Sequence, residues 1–308
     1  MKYFNFVLTF IIFLLILIIY YSNKVDFRCT EIGEQIFDDF FGLKIAQTRC
    51  LEYQGLNSNP SSSHKPKFEE ITPRYQNTRL KKEIECPKNS DVIIILGQSN
   101  AANYLINNNQ IKTDHLNYYN DKCYKLTDPV LGATGNLQSL APVLADKIIS
   151  KKPLIFLTNA WGGSGISEWS MPESKLSEYA NSNMLKLSKN NNLKFIIWIQ
   201  GESDANKKIN YKKHFLDFKK NILKNLNETQ KKSLKFIITQ TSICGSDARN
   251  RDKKLNRYQK NLGKLKNTFV TNVTDNLNFN YRYDKCHFNQ FGIEKITDEI
   301  SEIINNNL

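Results

Sequence analysis

Four short polar segments contain the side chains that an acyl-transfer reaction needs. They are GQSN (97–100), NAWGGSG (159–165), QGESD (200–204) and DKCHFN (284–289). Each has an ordinary structural explanation when taken alone, since serine, asparagine and glycine are also common in turns and helix caps. Their occurrence together, in this order, is what points to chemistry.

The first and last segments supply a nucleophile, a base and an acid. A serine hydroxyl is a poor nucleophile until a nearby base takes its proton, and an imidazole is the usual base. Ser99 and His287 fit these two roles. Asp284 precedes the histidine by three residues and can accept its second ring N–H, which fixes the tautomer and stabilises the imidazolium. We therefore expect Ser99, His287 and Asp284 to form a triad.

The reaction also needs hydrogen-bond donors for the oxyanion that forms on the substrate. The backbone N–H groups of Ser99 and Gly163 and the side-chain amide of Gln200 are the candidate donors. Residues around these groups are expected to support them: Gly97, Gln98, Asn100, Gly162, Gly201 and Glu202. Of these, Gly97 lets the backbone turn after a strand, and Glu202 is expected to brace the loops by hydrogen bonds.

Two other features of the polar segments suggest different roles. Glu202 and Asp204 are paired acids, but two positions apart on one loop they give no reason to expect the facing carboxylates of a glycosidase. Trp161 and Trp169 flank the glycines and are candidates for stacking on a sugar, although Trp169 is more readily explained as a core residue.

Short apolar runs precede the polar segments and are typical of strands buried on both faces of a parallel sheet. The runs are 91–96, 153–158, 194–199, 234–239 and 267–271, and helical periodicity is found at 140–151, 174–189, 211–226, 249–265 and 290–305. Alternating strands and helices predict an α/β fold, a three-layer α/β/α sandwich with a central, mainly parallel five-stranded sheet. Ligands bind at the carboxyl ends of such strands, where the polar segments lie.

The GQSN, GG, QGESD and D-x-x-HF blocks, each after a strand, resemble those of the SGNH hydrolase superfamily. GQSN together with QGESD is similar to the carbohydrate acetylesterases related to sialate O-acetylesterase, whereas most of the superfamily has GDS in the first block. The resemblance covers about 91–308 and implies a flavodoxin-like fold. It implies the same roles for Ser99, His287 and Asp284 and the same donors, Ser99, Gly163 and Gln200. Other branches have asparagine where this chain has Gln200.

The N-terminus predicts an anchor. Residues 4–21 carry no charge, and a helix of about 18 residues spans roughly 27 Å, close to the hydrocarbon thickness of a bilayer. An uncleaved transmembrane signal anchor (1–22) is preferred to a cleaved signal peptide, because no small-x-small cleavage site follows. A juxtamembrane stalk or linker (23–88) and an esterase domain (89–308) complete the predicted organisation. The catalytic domain is expected outside the cytoplasm, and it would be secreted if the segment is cleaved.

The cysteine spacing and the distribution of charge limit the kinds of cofactor and partner that the sequence predicts. The six cysteines lack metal-binding spacing and favour disulfides, so neither a metal nor a cofactor is expected. Cys29 and Cys50 are a candidate local pair. The net charge of +13 comes from lysines scattered among asparagines, without interleaved aromatic residues, which argues against nucleic acid.

The residues therefore predict a serine esterase, and the resemblance implies that it removes O-acetyl groups from a carbohydrate, such as sialate or an envelope polysaccharide. Two alternatives stay open. One is an acetyltransferase or lipid esterase that uses the same triad, and the other is a catalytically inactive glycan-binding protein.

Overall fold

The computed structural model of the protein describes residues 81–107, 111, 113–245 and 251–308. Eight strands in these ranges form one sheet, in the order β1-β4-β3-β5-β2-β6-β7-β8. Their bounds are β1 Glu83–Ile84, β2 Asp91–Gly97, β3 Leu116–Tyr119, β4 Lys122–Lys125, β5 Ile155–Ala160, β6 Asn192–Ile199, β7 Lys235–Gln240 and β8 Thr268–Val273.

The five strands predicted from apolar runs form the parallel centre of the sheet, and β3 adds a short parallel pairing with β5. Strands β5, β2, β6, β7 and β8 lie side by side and all their pairings are parallel. Numbered along the chain, these five have the spatial order 2-1-3-4-5, which is the flavodoxin-like order. The interior residues of β2 are buried because helices cover both faces of the sheet, as the continuous apolar run predicts.

The sheet has three strands more than the sequence predicted. Strands β3 and β4 form a hairpin whose two-residue turn, Asn120 and Asp121, has positive φ at both positions, as a type I′ turn requires. Strand β1 pairs with β4 and lies within the segment that the sequence assigned to the stalk. These strands have only two to four residues, and β1 and β4 include charged side chains, so they lack the long apolar run that identifies the central strands.

Helices lie on both faces of the sheet, which confirms the three-layer α/β architecture. In the described ranges they are α1 Ala141–Lys147, α2 Ile166–Ser170, α3 Lys175–Ser188, α4 Tyr211–Leu223, α5 Glu228–Ser233, α6 Lys253–Leu262 and α7 Gln290–Asn305. Helices α2, α3, α4 and α6 enclose one apolar cluster with Ile94, and α1 and α7 enclose the other with Ile93. Successive residues of β2 therefore face opposite layers.

The predicted membrane anchor (4–21), most of the stalk, and Cys29 and Cys50 lie outside the described residues. Within the described ranges, no helix is long and apolar enough to span a bilayer. The remaining four cysteines form two disulfides, Cys86–Cys123 and Cys244–Cys286. These disulfides favour an extracytoplasmic or secreted location for this part of the chain.

Candidate active site

Strand β2 is the point at which the strand order of the sheet reverses. It lies between β5 and β6, so the chain leaves its carboxyl end in a crevice between two diverging connections. Such switch points are where α/β sheets bind ligands. The GQSN, NAWGGSG and QGESD segments follow β2, β5 and β6 and therefore meet here.

Ser99 begins a single turn of 3-10 helix, Ser99–Ala101, directly after β2. Gly97 has φ of 142°, and a Cβ at this position would collide with the backbone carbonyl of Ile199 on β6. Only glycine suits both the backbone angle and the close approach. The turn that presents Ser99 is thus packed directly on the neighbouring strand, and Ser99 itself is 6% exposed.

Asp284 and His287 are in direct contact. His287 Nδ1 lies 2.6 Å from Asp284 Oδ2, and Asp284 Oδ1 accepts hydrogen bonds from the backbone N–H groups of Cys286 and His287, at 3.0 and 2.7 Å. Burial acts to raise the pKa of Asp284, but the hydrogen bonds from His287 outweigh it, and the pKa is lowered overall. Asp284 is therefore an ionised acceptor that fixes Nδ1 as the protonated nitrogen and leaves Nε2 as the ring nitrogen that can accept a hydrogen bond.

Asn100 joins the serine turn to the histidine loop. Its Nδ2 donates to the backbone oxygen of Cys286 at 3.3 Å, and its Oδ1 accepts from the backbone N–H of Phe288 at 3.3 Å. The residue next to Ser99 is thus hydrogen-bonded to both neighbours of His287. Sequence analysis assigned Asn100 a supporting role but gave no indication of this double contact, because its partners are 186 and 188 positions away.

Glu202 fixes the orientation of the Asn100 amide. Its Oε1 accepts from Asn100 Nδ2 at 2.6 Å and from Thr241 Oγ1 at 2.9 Å. The neighbouring acid, Asp204, accepts from the backbone N–H of Ile166 at 2.7 Å, at the start of α2. Both carboxylates are thus engaged in holding loops together, in agreement with the bracing role expected for Glu202 and unlike the paired acids of a glycosidase.

The candidate oxyanion donors differ in what they already bind. Gly163 has φ of 73°, and its neighbour Gly162 donates its N–H to Thr134 Oγ1 at 2.8 Å. Gln200 is 0% exposed, and its Nε2 donates to Asp204 Oδ2 at 2.5 Å. The other contacts of Gln200 Nε2, with the side-chain oxygen of Gln98 and the backbone oxygen of Ser164, are both 3.4 Å long. One N–H of Gln200 is therefore engaged with Asp204, and the other has only weak partners.

Gln98 and Gly201 shape the loop after β6. Gln98 Oε1 accepts from the backbone N–H groups of Gly201 and Ser203, at 3.4 and 3.0 Å. A Cβ on Gly201 would collide with the backbone oxygen of Thr241, so the loop passes close to the end of β7. These two supporting residues hold the QGESD loop against the serine turn.

A disulfide and a buried arginine also hold the loop that carries His287. The Cys244–Cys286 disulfide links it to the loop after β7. Arg282 is buried, donates to the backbone oxygen of Cys286, and has its guanidinium carbon 4.1 Å from the centre of the Phe288 ring. No sequence motif marks these contacts, because they depend on how distant loops meet.

Aromatic side chains near the site are not those that the sequence suggested. Trp161 and Trp169 are 3% and 0% exposed, so both belong to the core and cannot form a sugar-binding surface. In the described part of the chain, no three His, Cys, Asp or Glu side chains are grouped as a metal site would need.

The strand order and the crossover at β2 define the class: an α/β protein with a flavodoxin-like, mainly parallel sheet. The family model described as carbohydrate esterase, sialic acid-specific acetylesterase, matches residues 132–304, more than half of the chain. The chain belongs to this family. The matched range includes Gly163, Gln200, Asp284 and His287, while Ser99 precedes it. Membership supports an esterase activity on acetylated carbohydrates.

One solved structure supports the fold. A protein of Arabidopsis thaliana superposes with a TM-score of 0.57 at 20% identity, covering 72% of this chain and 100% of that one. Weaker similarities include NanS, with a TM-score of 0.48 at 15% identity over 72% of this chain and 98% of that one. A carbohydrate acetylesterase from Xanthomonas citri gives 0.47 at 15% identity, over 70% of this chain and 56% of that one. None of the curated proteins matches the sequence.

Proposed function

We propose that the protein is a serine-dependent carbohydrate O-acetylesterase with Ser99 as nucleophile, His287 as base and Asp284 as its partner. The observation that carries the proposal is the Asn100 contact, because it ties the turn of Ser99 to the residues on both sides of a histidine that is already paired with an aspartate. A nucleophile and an oriented base on one rigid edge are what acyl transfer requires.

In the proposed mechanism, Ser99 Oγ attacks the acetyl carbonyl carbon while its proton passes to His287 Nε2. The oxyanion accepts hydrogen bonds from the backbone N–H groups of Ser99 and Gly163 and from the weakly engaged N–H of Gln200. The sugar oxygen then leaves with the proton from His287, and the acetyl group stays on Ser99. Water then gives a proton to His287 and attacks the acyl carbon, the bond to Ser99 Oγ breaks, and Ser99 takes the proton back from His287 as acetic acid leaves and ionises to acetate. Asp284 stays ionised throughout.

The test is hydrolysis of a chromogenic acetate ester by purified variants. Ser99→Ala and His287→Ala should each lower kcat by at least about a thousandfold, because removal of the nucleophile or the base leaves only the oxyanion donors and binding. Rates equal to that of the wild type would exclude the mechanism.

The chain offers a matched control in a second serine–histidine contact. Ser170 Oγ lies 2.7 Å from His214 Nδ1, between α2 and α4. Ser170→Ala and His214→Ala remove the same chemical groups without touching the proposed triad. They should leave kcat within about threefold of the wild type, as substitutions outside a site usually do.

We further propose that residues 4–21 anchor the esterase to a membrane from the extracytoplasmic side. The uncharged length of this segment and the two disulfides of the domain support the proposal. In expressing cells, the full chain should resist extraction from membranes by alkaline carbonate, whereas a chain lacking residues 1–22 should not. Release of the full chain by carbonate would contradict anchoring.

A further inference from the structure

Two tyrosine rings lie beside the imidazole of His287. The Tyr104 ring is 5.6 Å from it, centre to centre, at an interplanar angle of 21°, and the Tyr283 ring is 6.0 Å from it at 25°. The Tyr283 hydroxyl donates to the backbone oxygen of Tyr104 at 3.0 Å. The Tyr283 ring is therefore held at both ends, by its own backbone and by this hydrogen bond, and its orientation is fixed.

Tyr283 differs from Tyr104 in its exposure. Tyr283 is 41% exposed, whereas Tyr104 is partly buried. Tyr104 packs on Gly162 so closely that a Cβ added to this glycine would lie 2.8 Å from the Tyr104 hydroxyl oxygen. The described residues include six exposed large apolar side chains, namely Ile149, Met171, Leu216, Tyr283, Phe291 and Leu308, and of these Tyr283 is the one with a ring contact to His287. An exposed aromatic ring that is already ordered loses little entropy when it binds a ligand.

The proposed chemistry brings the sugar to this ring. In the step that releases the alcohol, His287 Nε2 must be within hydrogen-bond reach of the sugar oxygen that carried the acetyl group. The pyranose ring attached to that oxygen then lies within van der Waals reach of a side chain stacked beside the imidazole. One face of a pyranose presents C–H groups, and these can bury apolar area on an aromatic ring while the hydroxyls stay in water.

We propose that Tyr283 is a specificity-determining residue that binds the pyranose ring of the acetylated carbohydrate by stacking on its C–H face. The inference rests on the proposed esterase function and adds the part of the substrate that is recognised. The two tryptophans that sequence analysis considered for this role are buried, so the surface is supplied instead by the residue directly before Asp284.

The test compares esters with and without a sugar ring. Penta-O-acetylglucose and 4-O-acetyl-N-acetylneuraminic acid, both of which carry ester oxygens on ring carbons, serve as sugar esters and ethyl acetate as the ester without a ring, with released acetate measured for each. Tyr283→Ala should lower kcat/KM for the sugar ester that the wild type cleaves best by roughly ten- to hundredfold, mainly through KM, as expected for lost apolar and aromatic contact. Its kcat/KM for ethyl acetate should change less than about twofold, because no contact with this substrate is lost.

Conservative variants separate stacking from other effects. Tyr283→Trp should keep activity on the sugar ester, and Tyr283→Phe should lose less than Tyr283→Ala, because it keeps the ring and loses only the bond to Tyr104. Tyr258→Ala is the matched control, since this tyrosine packs on the apolar cluster on the opposite face of the sheet from the one that Tyr104 joins. It should leave the ratio between the two kinds of ester unchanged.

The outcomes distinguish this inference from the proposed function. If Tyr283→Ala lowers kcat/KM equally for the sugar ester and for ethyl acetate, Tyr283 acts through His287. If it lowers kcat/KM for neither ester, Tyr283 does not bind the substrate. Either result overturns the inference and leaves the proposed esterase function in place. Cleavage of ethyl acetate but of neither sugar ester would overturn it as well. Full activity of Ser99→Ala would instead overturn the proposed function itself.

Discussion

At the scale of single residues, the site depends on one asparagine that connects two blocks of sequence. Asn100 is fully buried, and its amide uses both of its ends, donating to Glu202 and to the backbone of Cys286 and accepting from the backbone of Phe288. An asparagine side chain suits this position because the loop offers it both an acceptor and a donor. We therefore regard Asn100 as a positioning residue for His287.

Replacing Asn100 by Asp should show this role. The carboxylate cannot donate to Cys286 O and would lie against the carboxylate of Glu202, so the histidine loop would shift relative to Ser99. We expect kcat to fall roughly ten- to hundredfold with little change in KM, the effect of a small misplacement of a catalytic group. Steady-state kinetics on the chromogenic ester measure kcat and KM separately and so test this expectation.

Asn117→Asp is the control for lost stability. Asn117 is also buried, and its Nδ2 donates to the backbone oxygen of Leu131 at 3.2 Å. Both variants should unfold at lower denaturant concentration than the wild type. Equal falls in kcat for the two would show that Asn100 acts only through stability.

Sequence analysis identified the proposed catalytic side chains better than the contacts that position them. Ser99, Asp284 and His287 follow from residue type and short spacing, and the Asp284–His287 contact is local. The roles of Tyr283 and Arg282 depend on which distant loops meet the histidine loop, and neither belongs to a motif. Side chains whose roles depend on contacts between distant loops therefore leave no local pattern in the sequence.

At the scale of elements, the strands that carry the site are the ones with the clearest sequence signal. Strands β2, β5 and β6 are long, apolar and buried on both faces, so their positions were predicted within about two residues. Helix α7 begins and ends where it was predicted, because its buried isoleucines repeat at helical spacing and Asn289 caps it. Strands β1, β3 and β4 and the short helices α2 and α5 were missed, since two to six residues do not complete a recognisable period.

The two disulfides form a natural pair for testing how loop position affects catalysis. Cys244–Cys286 holds the histidine loop, whereas Cys86–Cys123 joins the region before β2 to β4 at the other side of the sheet. They close loops of similar length, with sequence separations of 42 and 37. The chain-entropy model therefore gives each nearly the same contribution to the free energy of unfolding, about 4 kcal/mol.

Replacing each pair by alanine should separate stability from catalysis. Both double variants should lose similar free energy of unfolding, measured by urea denaturation. Only Cys244→Ala/Cys286→Ala should also lower kcat, by roughly ten- to hundredfold, because its loop carries Asp284 and His287. The same kcat for both double variants, at a temperature where both are folded, would show that the disulfide does not position the histidine.

At the scale of the whole molecule, some charged side chains form exposed ion pairs, whereas others are partly buried. The ion pairs that join Lys122 to Glu83 and Lys186 to Asp121 are exposed and contribute little to stability. Asp128 and Lys81 are different, because both are partly buried. Burial raises the pKa of Asp128 to about 6, although hydrogen bonds from Ser139 act against it, and burial lowers the pKa of Lys81 to about 8.

The raised pKa of Asp128 makes the stability of the molecule depend on pH in a direction opposite to that of a paired surface carboxylate. The folded protein holds the Asp128 proton more tightly than the unfolded chain does, so the free energy of unfolding contributed by this group is greatest below about pH 4 and is lost as pH rises through about 6. A shift of about two pKa units corresponds to at most about 3 kcal/mol.

Asn in place of Asp128 keeps an oxygen for the N–H and hydroxyl of Ser139, at 2.8 and 3.0 Å, but cannot titrate. Urea denaturation at several pH values should therefore show that the wild type loses stability relative to Asp128→Asn between pH 4 and 6. The control is Asp298→Asn, at an exposed ion pair with Lys147, which should lose stability over this pH range as the wild type does. Parallel curves for the wild type and Asp128→Asn would show that the pKa of Asp128 is the same in the folded protein and in the unfolded chain.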